Sequence, residues 1–293
     1  MIVGQIGCGE WGAHVLRDLR TLGCDVRVVA RSDASVARAS EGGATAVVSE
    51  IGELGTVAAI VVVTPIATHA AVVQEALEQT VPVFVEKPMC DDVEDADRLV
   101  ALAPDRLFVM DKWRYHPGVR ALAEIGRTGR LGRPRGLRTI RVQSDNRHLE
   151  DACWVLAPHD LAIALEVVGE LPRPVAAAGL WVGDRLVTMH AVLETEGAWH
   201  VAELSERAPH VERRVELHCD DGLAVLEGGW DEHVVIHTPA GGSERVEAPG
   251  ELPLLAELRA FVDHVAGAAA PKSSAAEGAA MVRTIAELRR LAR

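Results

Sequence analysis

Along the first third of the chain, short runs of consecutive apolar residues alternate with longer stretches whose apolar positions return every three or four residues. The runs at residues 2–6, 25–30, 57–63, 81–85 and 107–110 predict strands, and the stretches 11–22, 33–40, 67–79 and 93–102 predict helices. Strands that are apolar at successive positions are buried on both faces, and strands that alternate with helices form a parallel sheet covered by crossover helices. This part reads as a doubly wound α/β domain over residues 1–116.

The pattern changes at Pro117. Gly126, Gly129, Gly132, Pro134 and Gly136 mark a turn-rich passage, after which apolar and polar residues alternate over 138–143, 185–194, 213–218 and 233–237. Period-two alternation predicts strands with one dry face, hence a mostly antiparallel, open-faced sheet. One helix is expected at 159–168 and two at the end of the chain. The first of these closing helices carries Leu254, Leu255, Leu258, Phe261, Val262 and Val265 on one face, and Ser274 with Glu277 resembles a capping box for the second. Residues 117–293 are therefore expected to form an α+β domain for substrate binding and oligomerisation. A strand such as Leu186, Thr188, His190 and Val192 leaves one sheet face for solvent or a partner.

Composition narrows the function. The 293 residues are 48% hydrophobic and 25% charged, enough to build a substantial core. A formal net charge of -13 disfavours nucleic acid, which demands a concentrated excess of Lys and Arg. The local exception is the run Arg127, Arg130, Arg133, Arg135, Arg138 and Arg141, which either faces a diphosphate or forms a solvated strand edge. The five cysteines (Cys8, Cys24, Cys90, Cys153 and Cys219) form no CxxC pair and no zinc spacing, so no metal is expected and a reducing, cytoplasmic compartment fits. Met1 passes directly into a strand, which predicts no secretory leader, and no apolar run reaches membrane-spanning length.

Gly7-Cys8-Gly9-Glu10-Trp11-Gly12 lies between a predicted strand and a predicted helix. There the glycines allow a tight turn and close approach of a pyrophosphate, whose charge meets the helix N-terminus, the arrangement of a Rossmann dinucleotide site. At the end of the second strand, where an acid commonly holds the ribose hydroxyls of NAD, stand Arg31 and Ser32. Their donors suit the 2′-phosphate of NADP(H), whereas Asp33, two positions on, would favour NAD if it takes that place.

Thr64-Pro65 with His69, then Glu86-Lys87-Pro88, then Trp113-Arg114-Tyr115-His116-Pro117 follow successive strands in an order that resembles the glucose-fructose oxidoreductase and inositol dehydrogenase (Gfo/Idh/MocA) family. The resemblance spans the chain. Gly9-Glu10-Trp11-Gly12 and Trp154-Val155-Leu156-Ala157-Pro158-His159-Asp160 look most like its branch acting on nucleotide-linked and antibiotic sugars, often at C3. The resemblance implies that Gly7, Gly9, Glu10, Trp11, Gly12, Arg31, Ser32, Thr64, Pro65, His69, Glu86 and Lys87 hold the cofactor. It places Lys87 beside the nicotinamide as the proton-transfer group and His159 across the substrate at the start of the second-domain helix. Arg114, Tyr115, Asn146, Arg147, Trp154, His159 and Asp160 would face the substrate. It also favours a homodimer or homotetramer.

Hydride transfer to a carbonyl requires a proton donor within hydrogen-bond reach of the oxygen, a task suited to lysine and histidine. One departure stands out. Many family members carry an acid four residues before the histidine, where this chain has Val155; either Asp151 or Asp160 takes its role or fewer groups act. The implied function is NADP(H)-dependent oxidoreduction of a small sugar-like carbonyl/alcohol pair. Reduction of an imine or other non-sugar metabolite, and a non-catalytic dinucleotide-binding regulator, remain the alternatives.

Overall fold

The computed structural model describes residues 1–144 and 150–293. It divides into two compact units, Met1–Lys112 with Leu254–Val282, and Trp113–Pro253 with Arg283–Arg293.

In the first unit the order is β1 (Ile2–Ile6), α1 (Glu10–Thr21), β2 (Asp25–Val29), α2 (Asp33–Glu41), β3 (Ala46–Val48), β4 (Ala59–Val62), α3 (His69–Leu77), β5 (Val83–Glu86), α4 (Val93–Leu102) and β6 (Leu107–Met110). The strands form one parallel sheet in the order β3-β2-β1-β4-β5-β6, the doubly wound arrangement whose order reverses beside β1. Every residue of β4 and β6 is buried, which is why these strands read as unbroken apolar runs. Strand β3 is only three residues long, and no periodicity marked it.

The second unit begins with α5 (Pro117–Thr128), β7 (Pro134–Val142) and α6 (Ala152–Val168). It continues through β8 (Arg173–Val182), β9 (Arg185–Thr195), β10 (Ala198–Ser205), β11 (Glu212–Cys219), β12 (Gly222–Leu226), β13 (His233–His237) and β14 (Ser243–Glu247). Its eight strands run in the order β14-β13-β12-β11-β7-β10-β9-β8, with β10 and β7 parallel and every other pair antiparallel. Helices α5 and α6 contribute Val119, Leu122, Ile125, Ile163, Ala164 and Val167 to a core with Leu137, Val215, Leu217 and Leu226 of the sheet.

Two expectations are corrected here. Residues 117–128 form a helix rather than a turn-rich passage: Pro117 occupies the first turn, and Val119, Leu122 and Ile125 recur at threefold spacing beneath the glycines. Helix α6 starts at Ala152, not at 159, because Pro158 is accommodated inside it; His159 therefore lies within the helix and not at its start.

The closing helices α7 (Pro253–Val265) and α8 (Ala275–Leu291) also differ from the expected 1–116/117–293 division. Apart from its first residue, α7 belongs to the first unit, where Phe261 stacks on Phe84 with ring centroids 4.7 Å apart. Helix α8 contributes to both units. Its capping box forms as expected, Ser274 N donating to Glu277 Oε2 at 2.9 Å and Glu277 N to Ser274 Oγ at 3.2 Å.

Candidate active site

The glycine-rich turn joins β1 to α1. Gly7 has φ +96°, and a Cβ there would lie 2.6 Å from the Val63 carbonyl oxygen, so backbone conformation and crowding both require glycine. A Cβ at Gly12 would come 2.9 Å from the Gly7 carbonyl oxygen, whereas one at Gly9 would meet nothing within 4 Å. Gly9 thus leaves open space in front of the first amides of α1, which no side chain caps. This fits a pyrophosphate: room for close approach, with amide donors directed at it. The turn is fastened from below by Gln5, a fully buried residue whose Nε2 donates to the carbonyls of Gly7 at 2.8 Å and Gly12 at 2.9 Å.

Arg31 follows β2 and is exposed. Its guanidinium donates to the Ser49 carbonyl at 3.2 Å and to Glu50 Oε2 at 3.0 Å. Ser32 caps α2, its Oγ accepting from Ser35 N at 3.2 Å, and Asp33 is the first helical residue.

After β4, Thr64 and Pro65 open a turn that His69 ties to the next loop. The His69 ring is 1% exposed, with Nε2 2.8 Å from the Thr64 carbonyl oxygen and Nδ1 2.9 Å from that of Pro88. Both ring nitrogens are engaged by backbone, so His69 holds the two loops together. Burial lowers its pKa, opposed by those two carbonyls.

At the end of β5, Glu86 accepts from Trp11 Nε1 at 3.2 Å through one oxygen, and its other oxygen lies 3.7 Å from Lys87 Nζ. Lys112 Nζ sits 4.1 Å from the centroid of the Trp11 ring. Glu257 of α7 belongs to the same electrostatic group. It is 1% exposed, and its Oε2 lacks a hydrogen-bond partner among the described residues. Burial pushes its carboxyl well above the usual range, Glu86 and Asp111 raise it further, and Lys112 and Lys87 pull it back.

In the second unit, α6 presents Trp154, Val155 and His159, all half-buried, with Val155 one turn before His159. The His159 ring meets Trp113 edge-on, with centroids 6.4 Å apart. Trp113 stacks on His116 at 5.0 Å and carries the Arg141 guanidinium 4.4 Å from its ring centroid. Arg141 pairs with Asp160 at 3.2 Å, both side chains almost wholly buried. Burial pushes the Asp160 carboxyl up, opposed chiefly by Arg141. Burial, with Arg141 beside it, lowers Arg213 to about 10.

The two candidate replacements for the acid absent at 155 are both committed elsewhere. Asp160 serves Arg141, while Asp151 accepts from Leu186 N at 2.8 Å and pairs with Arg289. Arg114 pairs with Glu166 at 3.4 Å, and Tyr115 beside it is half-buried. Asn146 and Arg147 lie outside the described residues. Five members of the arginine run have acidic partners: Arg127 with Glu124, Arg130 with Glu244, Arg135 with Asp220, Arg138 with Glu203 and Glu216, and Arg141 with Asp160. Arg127, Arg130 and Arg135 are exposed, as the solvated reading expects, but Arg135, Arg138 and Arg141 lie on β7, which is flanked by β11 and β10 and is no sheet edge, and Arg141 is 3% exposed.

Residues 1–109 match the family model described as an oxidoreductase family with an NAD-binding Rossmann fold, Gfo/Idh/MocA. An inositol 2-dehydrogenase of Paenarthrobacter aurescens is 31% identical over 89% of this chain and 84% of its own length. The chain belongs to the Gfo/Idh/MocA oxidoreductase family. It is also similar to the UDP-N-acetylglucosamine 3-dehydrogenase of Acidithiobacillus ferrooxidans, 29% identical over 73% of this chain and 72% of the relative. A 3-ketoreductase from Actinomadura kijaniata, solved with NADP and TDP-benzene, shares the fold with a TM-score of 0.89 at 21% identity, covering 100% of this chain and 98% of that one.

Sequence reasoning did not single out three of these residues, Gln5 and Glu257 of the first unit and Trp113 of the second. Gln5 and Glu257 each interrupt an otherwise apolar buried set, Gln5 within β1 and Glu257 on the face of α7 that carries Leu254 and Phe261. A polar residue at such a position is a usable signal, since its burial requires a partner or a function. Trp113 was read only as part of a motif; its contacts with Arg141, His116 and His159 come from separate elements.

Proposed function

We propose that this protein is an NADP(H)-dependent oxidoreductase acting on the carbonyl/alcohol pair of a sugar or nucleotide-linked sugar, as the names of its relatives suggest. The observation that carries the reading is Lys87, an amine held near a carboxylate that is itself bonded to Trp11 of the dinucleotide turn. When bound, NADPH would supply a hydride to the carbonyl carbon. Lys87 in its ammonium form gives the proton to the carbonyl oxygen, and in the reverse direction the free amine takes it back. His159, braced by Trp113, is assigned the second proton-handling position. Val155 contributes no charge to it. Incubating the protein with NADPH and a panel of 3-keto sugars, free and nucleotide-linked, while following nicotinamide absorbance tests the reading; consumption confined to imines would replace it.

Arg31 and Ser32 are assigned to the 2′-phosphate. Arg31 exchanges its pairing with Glu50 for the phosphate, and each charge-assisted hydrogen bond so formed contributes on the order of 1.5 to 3 kcal/mol. Fluorescence titration is expected to show tighter binding of NADPH than of NADH, with Arg31→Ala removing the difference. Equal affinities in the wild type would overturn the assignment.

The open face of the second-unit sheet supports self-association. Val192 on β9 and Trp199 on β10 remain 42% and 39% exposed, beside Val175, Leu180 and Val182 of the edge strand β8. Large apolar residues clustered on one sheet face mark an interface. Light scattering at micromolar concentration is expected to report a dimer or tetramer, and Val192→Glu to shift it toward monomer. A wild-type monomer would refute this.

A further inference from the structure

Phosphate binding by the glycine-rich turn uses backbone amides, and nothing in that task calls for an indole. Trp11 nevertheless occupies the second position of α1 with its ring fixed at several points. Its Nε1 donates to Glu86 Oε2 at 3.2 Å, its face carries Lys112 Nζ at 4.1 Å, and His14 meets it edge-on at 5.7 Å. The second oxygen of Glu86 lies 3.7 Å from Lys87 Nζ. That separation exceeds the roughly 2.7 to 2.9 Å of a direct charge-assisted bond between ammonium and carboxylate. The side chains of Lys87 and Glu86 are 14% and 15% exposed, so solvent screens their interaction only weakly.

We infer that Trp11 is a positioning residue for Lys87: its indole N–H holds the Glu86 carboxylate back from the ammonium, near enough to keep the amine in place and too far to bind its proton tightly. This rests on the reading of Lys87 as the proton-transfer group. The turn that receives the cofactor phosphates and the group that moves the proton are thereby tied through one side chain. Without the indole donor, Glu86 turns to Lys87 and forms the direct bond, which favours the charged amine. Lys87 also acts electrostatically on His69 of α3 and on Glu257 of α7, and Lys112 acts on Glu257 as well. All three remain in the variants below.

The chain contains only three lysines, Lys87, Lys112 and Lys272, so reductive ¹³C-methylation gives few NMR signals. The signal missing from Lys87→Met assigns that of Lys87, and its pH titration is read without any substrate. Trp11→Phe is expected to raise the Lys87 midpoint by about half a pH unit or more, and Glu86→Gln to lower it. In the Glu86→Gln background Trp11→Phe should add no further shift, the non-additivity expected of one coupled unit. An unchanged Lys87 midpoint in Trp11→Phe, or an equal shift with and without Glu86, overturns the proposal. Should Trp11→Phe fail to fold, an unchanged midpoint in Glu86→Gln alone does so. Turnover of Lys87→Met decides the underlying reading separately, because the titration reports the tie whether or not Lys87 moves the proton.

Discussion

Replacing Lys87 by Met is expected to slow hydride transfer by about 10²- to 10⁴-fold, the contribution of a positioned acid/base group, while NADP(H) binding stays nearly unchanged. The separation follows from the structure. Phosphate recognition is assigned to Gly7, Gly9, Gly12 and the first amides of α1, fastened by Gln5, none of which depends on the Lys87 side chain. Single-turnover nicotinamide absorbance with an accepted substrate gives the rate, and fluorescence titration gives the affinity. His159→Asn should also slow transfer, by less than Lys87→Met. With Val155 in the place of an acid, and with Asp151 and Asp160 paired with Arg289 and Arg141, His159 packs edge-on against Trp113 without the carboxylate one turn before it. A near-normal rate in Lys87→Met would remove Glu86-Lys87-Pro88 from the chemistry and return the non-catalytic regulator to the front.

The largest loss of stability is expected from Asp160→Ala. Asp160 and Arg141 are 1% and 3% exposed, and removal of the carboxylate leaves a buried guanidinium without its ion-pair partner, at a cost of about 3 to 5 kcal/mol. Arg141 also covers one face of Trp113, so the loss should reach His159 and lower activity beyond the unfolded fraction. Replacing both partners, Arg141→Met with Asp160→Leu, should recover most of the stability, because two desolvation penalties disappear together. The pH dependence has a definite sign. Burial raises the folded-state pKa of Asp160 above the ordinary aspartate value, so its ionisation opposes folding, and that part of the stability is lost as pH rises from the unfolded value through the folded one. Asp160→Ala lacks this component. Urea unfolding from pH 4 to pH 8 measures both effects, and a loss below about 1 kcal/mol would show that the pair is dispensable.

Much of the first unit was legible because its physics is local. Parallel strands covered on both faces are mostly apolar at successive positions, so β1, β2, β4, β5 and β6 announced themselves despite Gln5 in β1 and Arg27 in β2, while the three residues of β3 were too few to show a pattern. The glycines of Gly7-Cys8-Gly9-Glu10-Trp11-Gly12 were equally readable, since a left-handed turn and an uncapped helix start demand particular residues at particular offsets. Helix α5 was missed because Gly118, Gly126 and Gly129 obscured its apolar spacing, and the start of α6 because proline ordinarily breaks a helix.

Sequence alone determined the layered α/β domain, the position of its dinucleotide turn, the alternating sheet that follows and the residue types able to move a proton. Those follow from backbone geometry and from which side chains water excludes, both expressed over a few consecutive positions. Only the tertiary structure decided that α7 returns to the first unit with Glu257, that Gln5 fastens the glycine turn, and that Asp160 pairs with Arg141. An apolar helix face states that it will be buried but not against what, and a buried charge takes its partner from wherever the fold brings one within reach, because Coulomb attraction depends on distance in space and not along the chain.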